Sequence, residues 1–167
     1  FLGLLLSILI FRAASTPLPP PPRRLGSDIL EEFSGVEEDL AALIRYPTVS
    51  WFEAGREDAA AFTSLPVEVA RRWPLIAART LRREADDRAI LLEWPGTDGS
   101  LQPLVLSAHW DVVPADEGWI FAPFSGSVEN GEVRGRGAQD TKVTMAAILG
   151  ACERLARASW NPRRTLF

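Results

Sequence analysis

The chain has 167 residues, a formal net charge of −4, one Cys and one His. That length suits one domain or part of a larger one, and 47% hydrophobic with 24% charged residues is too apolar for a disordered chain. The acidic balance offers no electrostatic basis for nucleic-acid binding, and the lone Cys152 excludes an internal disulfide and a Cys-rich zinc site.

Residues Phe1 to Phe11 are apolar except at Gly3 and Ser7. The run is shorter than the roughly 20 residues a membrane span needs. It has the length of a signal-peptide core or of the exit end of a signal anchor, so residues 1–15 read as a signal or anchor segment. Ala13, Ala14 and Ser15 offer small residues for cleavage. A buried core helix is disfavoured because a proline tract, Pro17 to Pro22, follows directly. Residues 16–26 therefore read as a polyproline II linker, rising about 3.1 Å per residue. Globular sequence begins near Ser27.

Ser27 and Asp28 open a helical region in which Val36, Leu40, Leu43 and Ile44 recur at helical spacing. Pro47 ends it. A second helix is expected over Glu57 to Trp73, interrupted at Pro66 by the lost hydrogen bond and the ring clash. Arg79 to Arg83 and Ala89 to Trp94 read as strands. Leu104 to His109 is a short apolar run, as in a strand buried on both faces. Asn130-Gly131 marks a tight primed turn between two short strands, at Val128–Glu129 and Glu132–Arg134. Helical spacing returns from Ala138 to Ala158, Pro162 stops it, and Arg164 to Phe167 begins another strand. This order implies an α/β layered domain.

Two constellations carry chemistry. His109 and Asp111 stand two residues apart at the end of an apolar strand, so their side chains share one side, at the sheet edge where α/β proteins build sites. A carboxylate there orients a metal-binding imidazole, although a structural His is the commoner reading of His-x-Asp alone. The second constellation is Gly135-Arg136-Gly137-Ala138-Gln139-Asp140-Thr141-Lys142. Its glycines permit unusual backbone geometry, and Asp140 falls near a helix start, where the dipole keeps a carboxylate ionised. A plain N-cap is the bland alternative. A phosphate loop fails in detail, because the third Gly and a Gly-Lys-Ser/Thr are missing. Arg136 and Lys142 could attract an anion, but two basic residues beside an Asp are commonplace. The aromatic stretch Trp119 to Gly126 reads as a pocket wall or as a packed surface loop.

Taken together, the apolar strand, Ala-His-x-Asp-Val-Val-Pro, Pro-Phe-Ser-Gly, the hairpin, Gly-Arg-Gly-x-x-Asp-x-Lys and an Ala-rich helix resemble the co-catalytic zinc amidohydrolases. That family contains aminoacylase, succinyl-diaminopimelate desuccinylase and the Gly-X carboxypeptidases. The hydrophobic leader and spacer resemble carboxypeptidase S and the N-fatty-acyl-amino-acid synthase/hydrolase group. The resemblance covers about Asp39 to Phe167. It implies an α/β fold with a mixed sheet and helices on both faces, and makes residues 27–167 the N-terminal part of a zinc-peptidase catalytic domain. His109 would bind one of two zinc ions, Asp140 would bridge both, and Asp111 would be the catalytic aspartate that binds no metal. Thr141 replaces an Asp common in relatives, with little expected effect because that position is not a ligand.

The implied reaction is two-metal hydrolysis of an N-acyl amino acid or of a peptide's C-terminal residue. A downstream Glu pair, supplying the general base and a ligand, would lie beyond Phe167, with the remaining ligands. The chain by itself is therefore expected to be inactive. A homodimer would form through a further domain outside this chain. The leader implies a secreted, lumenal or vacuolar protein, or one tethered to a membrane. Two alternatives stand beside this reading: a non-catalytic binding protein on the same scaffold, and a nucleotide-binding α/β domain.

Overall fold

The computed structural model describes residue 15 and residues 35–167, except 54 and 87, and gives no side-chain account of residues 84–86. The expectations for the apolar run Phe1–Phe11, the proline tract and the helix start at Ser27–Asp28 lie outside the described residues. None of the described helices is long and apolar enough to cross a membrane.

Helix α1 covers Val36–Ile44. Glu37, Glu38 and Asp39 fill its first turn, where the helix dipole favours negative charge. Leu40, Leu43 and Ile44 turn into the core. Helix α2, Ala59–Arg72, starts at Asp58, whose carboxylate caps the amides of Ala60 and Ala61 at 3.0 and 3.3 Å.

Pro66 does not interrupt α2, contrary to expectation. The helix runs through it because Phe62, Leu65 and Val69 bury their side chains on both sides of the proline, and tertiary packing offsets the missing bond. The break falls instead at Trp73. Pro74 then opens the short helix α3, Pro74–Arg79, at the first-turn position where a proline amide is not missed. The buried Glu153 accepts from the amides of Leu75 (3.2 Å) and Ile76 (2.9 Å), so a side chain of another helix caps α3. Sequence spacing gave no sign of α3.

Strands β1 (Leu81–Asp86) and β2 (Ala89–Glu93) form an antiparallel pair, with Leu81 opposite Glu93. Strands β3 (Ser127–Glu129) and β4 (Glu132–Arg134) form the expected hairpin. Asn130 and Gly131 take φ of 52° and 77°, the left-handed pair that a primed turn requires. Helix α4 covers Lys142–Arg157 and packs on α1 and α3.

The Leu104–His109 run departs from expectation. Leu104 and Leu106 pair in parallel with the segment ending at Phe167, through Leu104 N–Thr165 O (3.0 Å) and Leu106 N–Phe167 O (2.7 Å). Leu166 also pairs antiparallel with Trp94, which gives a small mixed arrangement. Yet Leu104, Val105 and Leu106 remain 44%, 65% and 39% exposed. They are not buried on both faces, because the segment is paired along one edge and little of the described chain packs over it. The core lies elsewhere, among α1, α2, α3 and α4, around Leu43, Leu65, Trp73, Ile76 and Leu149.

Candidate functional site

His109 and Asp111 sit where the extended segment ends. Asp140 closes the Gly135–Asp140 loop just before α4. This loop is shaped by Gly137, which has φ of 91°. A Cβ there would come within 2.8 Å of Val112 Cγ1, so the loop reaches the His109 segment only with glycine at this position. The Asp140–Thr141 peptide is cis.

The imidazole of His109 lies between two carboxylates. Its Nε2 is 3.3 Å from Asp140 Oδ1, and its Nδ1 is 3.1 Å from Asp111 Oδ1 and 3.0 Å from the Asp111 carbonyl oxygen. Partial burial opposes the imidazolium. The Asp111 carbonyl and the charges of Asp111 and Asp140 outweigh it and raise the His109 pKa above its ordinary value. With Nδ1 engaged by Asp111, Nε2 is the ring nitrogen left to face Asp140. A metal-binding imidazole is held in the same way, one nitrogen outward and the other fixed by a carboxylate or carbonyl.

Thr141 contributes more than its sequence position suggested. Its hydroxyl donates to the His109 carbonyl (3.1 Å) and accepts from the His109 amide (3.3 Å), tying the Asp140 loop to the His109 backbone.

Lys142 does not act as an anion attractor. It is fully buried, and its Nζ donates to the carbonyls of Leu43 (2.9 Å) and Tyr46 (2.7 Å). Burial pulls its pKa down to about 8, against the opposing influence of the Asp111 charge. Arg136 donates to Pro114 O at 3.1 Å and lies 4.9 Å over the Trp119 ring. It serves as a brace for the aromatic stretch.

His109, Asp111 and Asp140 line one open pocket of about 490 Å³, walled by Trp119, Phe121 and Arg136. Of the two readings of Trp119 to Gly126, the pocket wall therefore holds for Trp119 and Phe121, which meet edge to face at 5.3 Å. Ser50 also lines the pocket, and its Oγ donates to Asp111 Oδ2 at 2.8 Å. Motif spacing missed Ser50, since nothing in Tyr46-Pro47-Thr48-Val49-Ser50 reads as more than a helix end and a turn.

Comparison with known proteins adds the context. Residues 105–167, which hold His109, Asp111 and Asp140, match the model of peptidase family M20/M25/M40. The chain belongs to this family. It is 37% identical over 140 residues to the N-fatty-acyl-amino acid synthase/hydrolase of Mus musculus, covering 82% of this chain and 28% of that protein. To an uncharacterized carboxypeptidase of Schizosaccharomyces pombe it is 33% identical over 170 residues, covering 91% of this chain and 28% of that one. The chain thus spans under a third of the length of these M20 relatives.

Among solved structures, human carnosine dipeptidase 1 superposes with a TM-score of 0.65 at 19% identity, over 83% of this chain and 31% of the other. An M20 family metallo-carboxypeptidase of Sulfolobus solfataricus superposes at 0.59 and 23% identity, over 80% of this chain and 30% of the other. Both show that the M20 chain has the α/β fold of these peptidases.

Proposed function

We propose that the full-length protein is a zinc-dependent hydrolase of the amide bond next to a C-terminal or N-acylated amino acid. In this reading residues 27–167 are the N-terminal part of its catalytic domain, residues 16–26 a linker, and residues 1–15 a signal or anchor. That leader would send the protein to a secreted, lumenal or vacuolar location. The observation that carries the reading is the meeting of His109, Asp111 and Asp140 in one pocket, within the segment that matches the M20 family.

The donors suit zinc in kind. An imidazole nitrogen and a carboxylate oxygen are ligands it takes readily. They do not suffice in number: among the described residues, no three His, Cys, Asp or Glu side chains come together to hold an ion. His109 and Asp140 would therefore hold part of a centre completed by residues outside this chain. Zinc bound there would lower the pKa of a water and polarise the scissile carbonyl.

The chain's own residues prepare that chemistry. Asp111 keeps a proton on Nδ1 of His109 and turns Nε2 toward Asp140. Asp140 supplies negative charge at the open side of the pocket. Trp119 and Phe121 form an aromatic wall on one side of the pocket. No residue of this chain is taken as the general base; a Glu elsewhere in the full-length protein would fill that role.

The test is hydrolysis of an N-acyl amino acid by the purified full-length protein, before chelation, after chelation and after zinc is returned. Activity should vanish with the chelator and return with zinc, while the 167-residue chain alone should bind zinc weakly and turn over nothing. Hydrolysis indifferent to the chelator would sink the zinc reading. Turnover by the 167-residue chain would overturn the division of the site between this chain and the rest.

A further inference from the structure

The loop after α1 is clamped to the segment that carries His109 and Asp111. The Ser50 amide donates to the Val112 carbonyl, and the Val112 amide donates to the Thr48 carbonyl, both at 2.9 Å. These bonds form the parallel bridge between Val49 and Val112. The buried Thr48 adds a side-chain bond from Oγ1 to the Trp110 carbonyl, 2.6 Å long. The backbone is therefore fixed on both sides of Asp111.

Within this clamp the Ser50 hydroxyl donates to Asp111 Oδ2 at 2.8 Å, while Asp111 Oδ1 faces His109 Nδ1 at 3.1 Å. Oδ2 has a hydrogen bond, and Oδ1 an ion-pair contact with a ring whose Nδ1 also lies 3.0 Å from the Asp111 carbonyl oxygen. A carboxylate held by one oxygen turns easily about its broad terminal torsion. Held by both, it keeps one plane, and a bond to an ionised acceptor is stronger than a neutral one. An ionised carboxylate only accepts, so the partner at Oδ2 must be a donor.

We propose that Ser50 is a positioning residue: its hydroxyl sets the Asp111 carboxylate plane and, through it, the angle of the His109 ring. The proposal rests on the reading of Asp111 as the catalytic carboxylate, but its first test does not need the enzyme to be active. His109 is the only histidine in the sequence, so its ring gives one unambiguous set of NMR signals.

In the 167-residue chain, Ser50→Ala should move and broaden the His109 ring signals, while Ser50→Thr should leave them near wild type. Ser50→Val matches Thr in shape without the hydroxyl, and should behave like Ala. Circular dichroism reports whether each variant is folded, and the Thr/Val pair decides the matter if the Ala variant does not fold. Identical ring signals in folded Val and Thr variants would overturn the proposal.

In the full-length zinc-loaded protein, the Ala and Val variants should lose on the order of tenfold in kcat. KM and zinc content should stay unchanged, with Thr close to wild type. A wild-type kcat in the Val variant would likewise overturn the proposal. If the ring signals respond as expected but the wild-type protein hydrolyses nothing, the positioning role stands and the hydrolase reading fails.

Discussion

Replacing Asp140 by Ala in the full-length protein should remove metal and activity together while leaving the fold intact. The Asp140 side chain is 86% exposed, and its one ion-pair partner among the described residues is His109, at 3.3 Å. Little packing depends on it, so its loss should barely change the melting temperature. Its charge, by contrast, faces the nitrogen that would hold one zinc. If Asp140 bridges two ions, as the family resemblance implies, neither would be held well without it. Metal-ion charge stabilisation contributes several kcal/mol to such reactions, and each 1.36 kcal/mol is tenfold in rate. The fall in kcat/KM should therefore be on the order of 1000-fold or more. Elemental analysis beside the rate measurement checks this, and normal zinc in Asp140→Ala would remove the bridging assignment.

Lys142→Met should be the most damaging change to stability near the site. Met keeps most of the length and the apolar stem but has no ammonium. The Leu43 and Tyr46 carbonyls would lose their shared charged donor and keep the amides of Tyr46 (3.3 Å) and Thr48 (2.8 Å). A hydrogen bond from a charged group contributes about 1.5–3 kcal/mol. With two such bonds lost, less the relief of no longer burying an ammonium, the net loss should be about 3 kcal/mol. For a domain of this size that is a drop on the order of 10 °C in melting temperature. Thermal and urea denaturation of wild type and variant test the expectation, and an unchanged midpoint would show that the two bonds are dispensable. Because Lys142 lies two residues after Asp140 and reaches back to α1, the same change should loosen the Asp140 loop.

What the sequence made legible was local. Helical spacing located α1, α2 and α4, and Asn130-Gly131 located the hairpin turn, because each is decided by a few neighbouring residues. The His-x-Asp and Gly-Arg-Gly-x-x-Asp motifs led to three side chains that do share a pocket. What stayed hidden depends on contacts far apart in the chain. Pro66 is carried inside a helix by packing that its own neighbours in sequence do not announce. Helix α3 gains its cap from Glu153. Lys142 looks like a surface cation until α1 is folded against it. Ser50 and Thr48 look like turn residues until a bridge across 61 and 62 positions brings them to Asp111 and Trp110. The apolar Leu104–Leu106 run signals a buried strand, yet burial is a property of neighbours, and the described chain provides too few of them.

In the proposed division of labour, His109 and Asp140 would hold the metal, while Asp111 would orient the site without binding it. The most direct measurement is zinc content and initial rate on one preparation of full-length Asp111→Ala. Removing an orienting partner of a metal ligand costs about 10- to 100-fold in metal affinity or activity, so with zinc supplied in excess the rate should fall by up to about 100-fold while zinc stays close to the wild-type level. Loss of zinc in parallel with rate would make Asp111 a ligand and contradict the assignment, as would an unchanged rate.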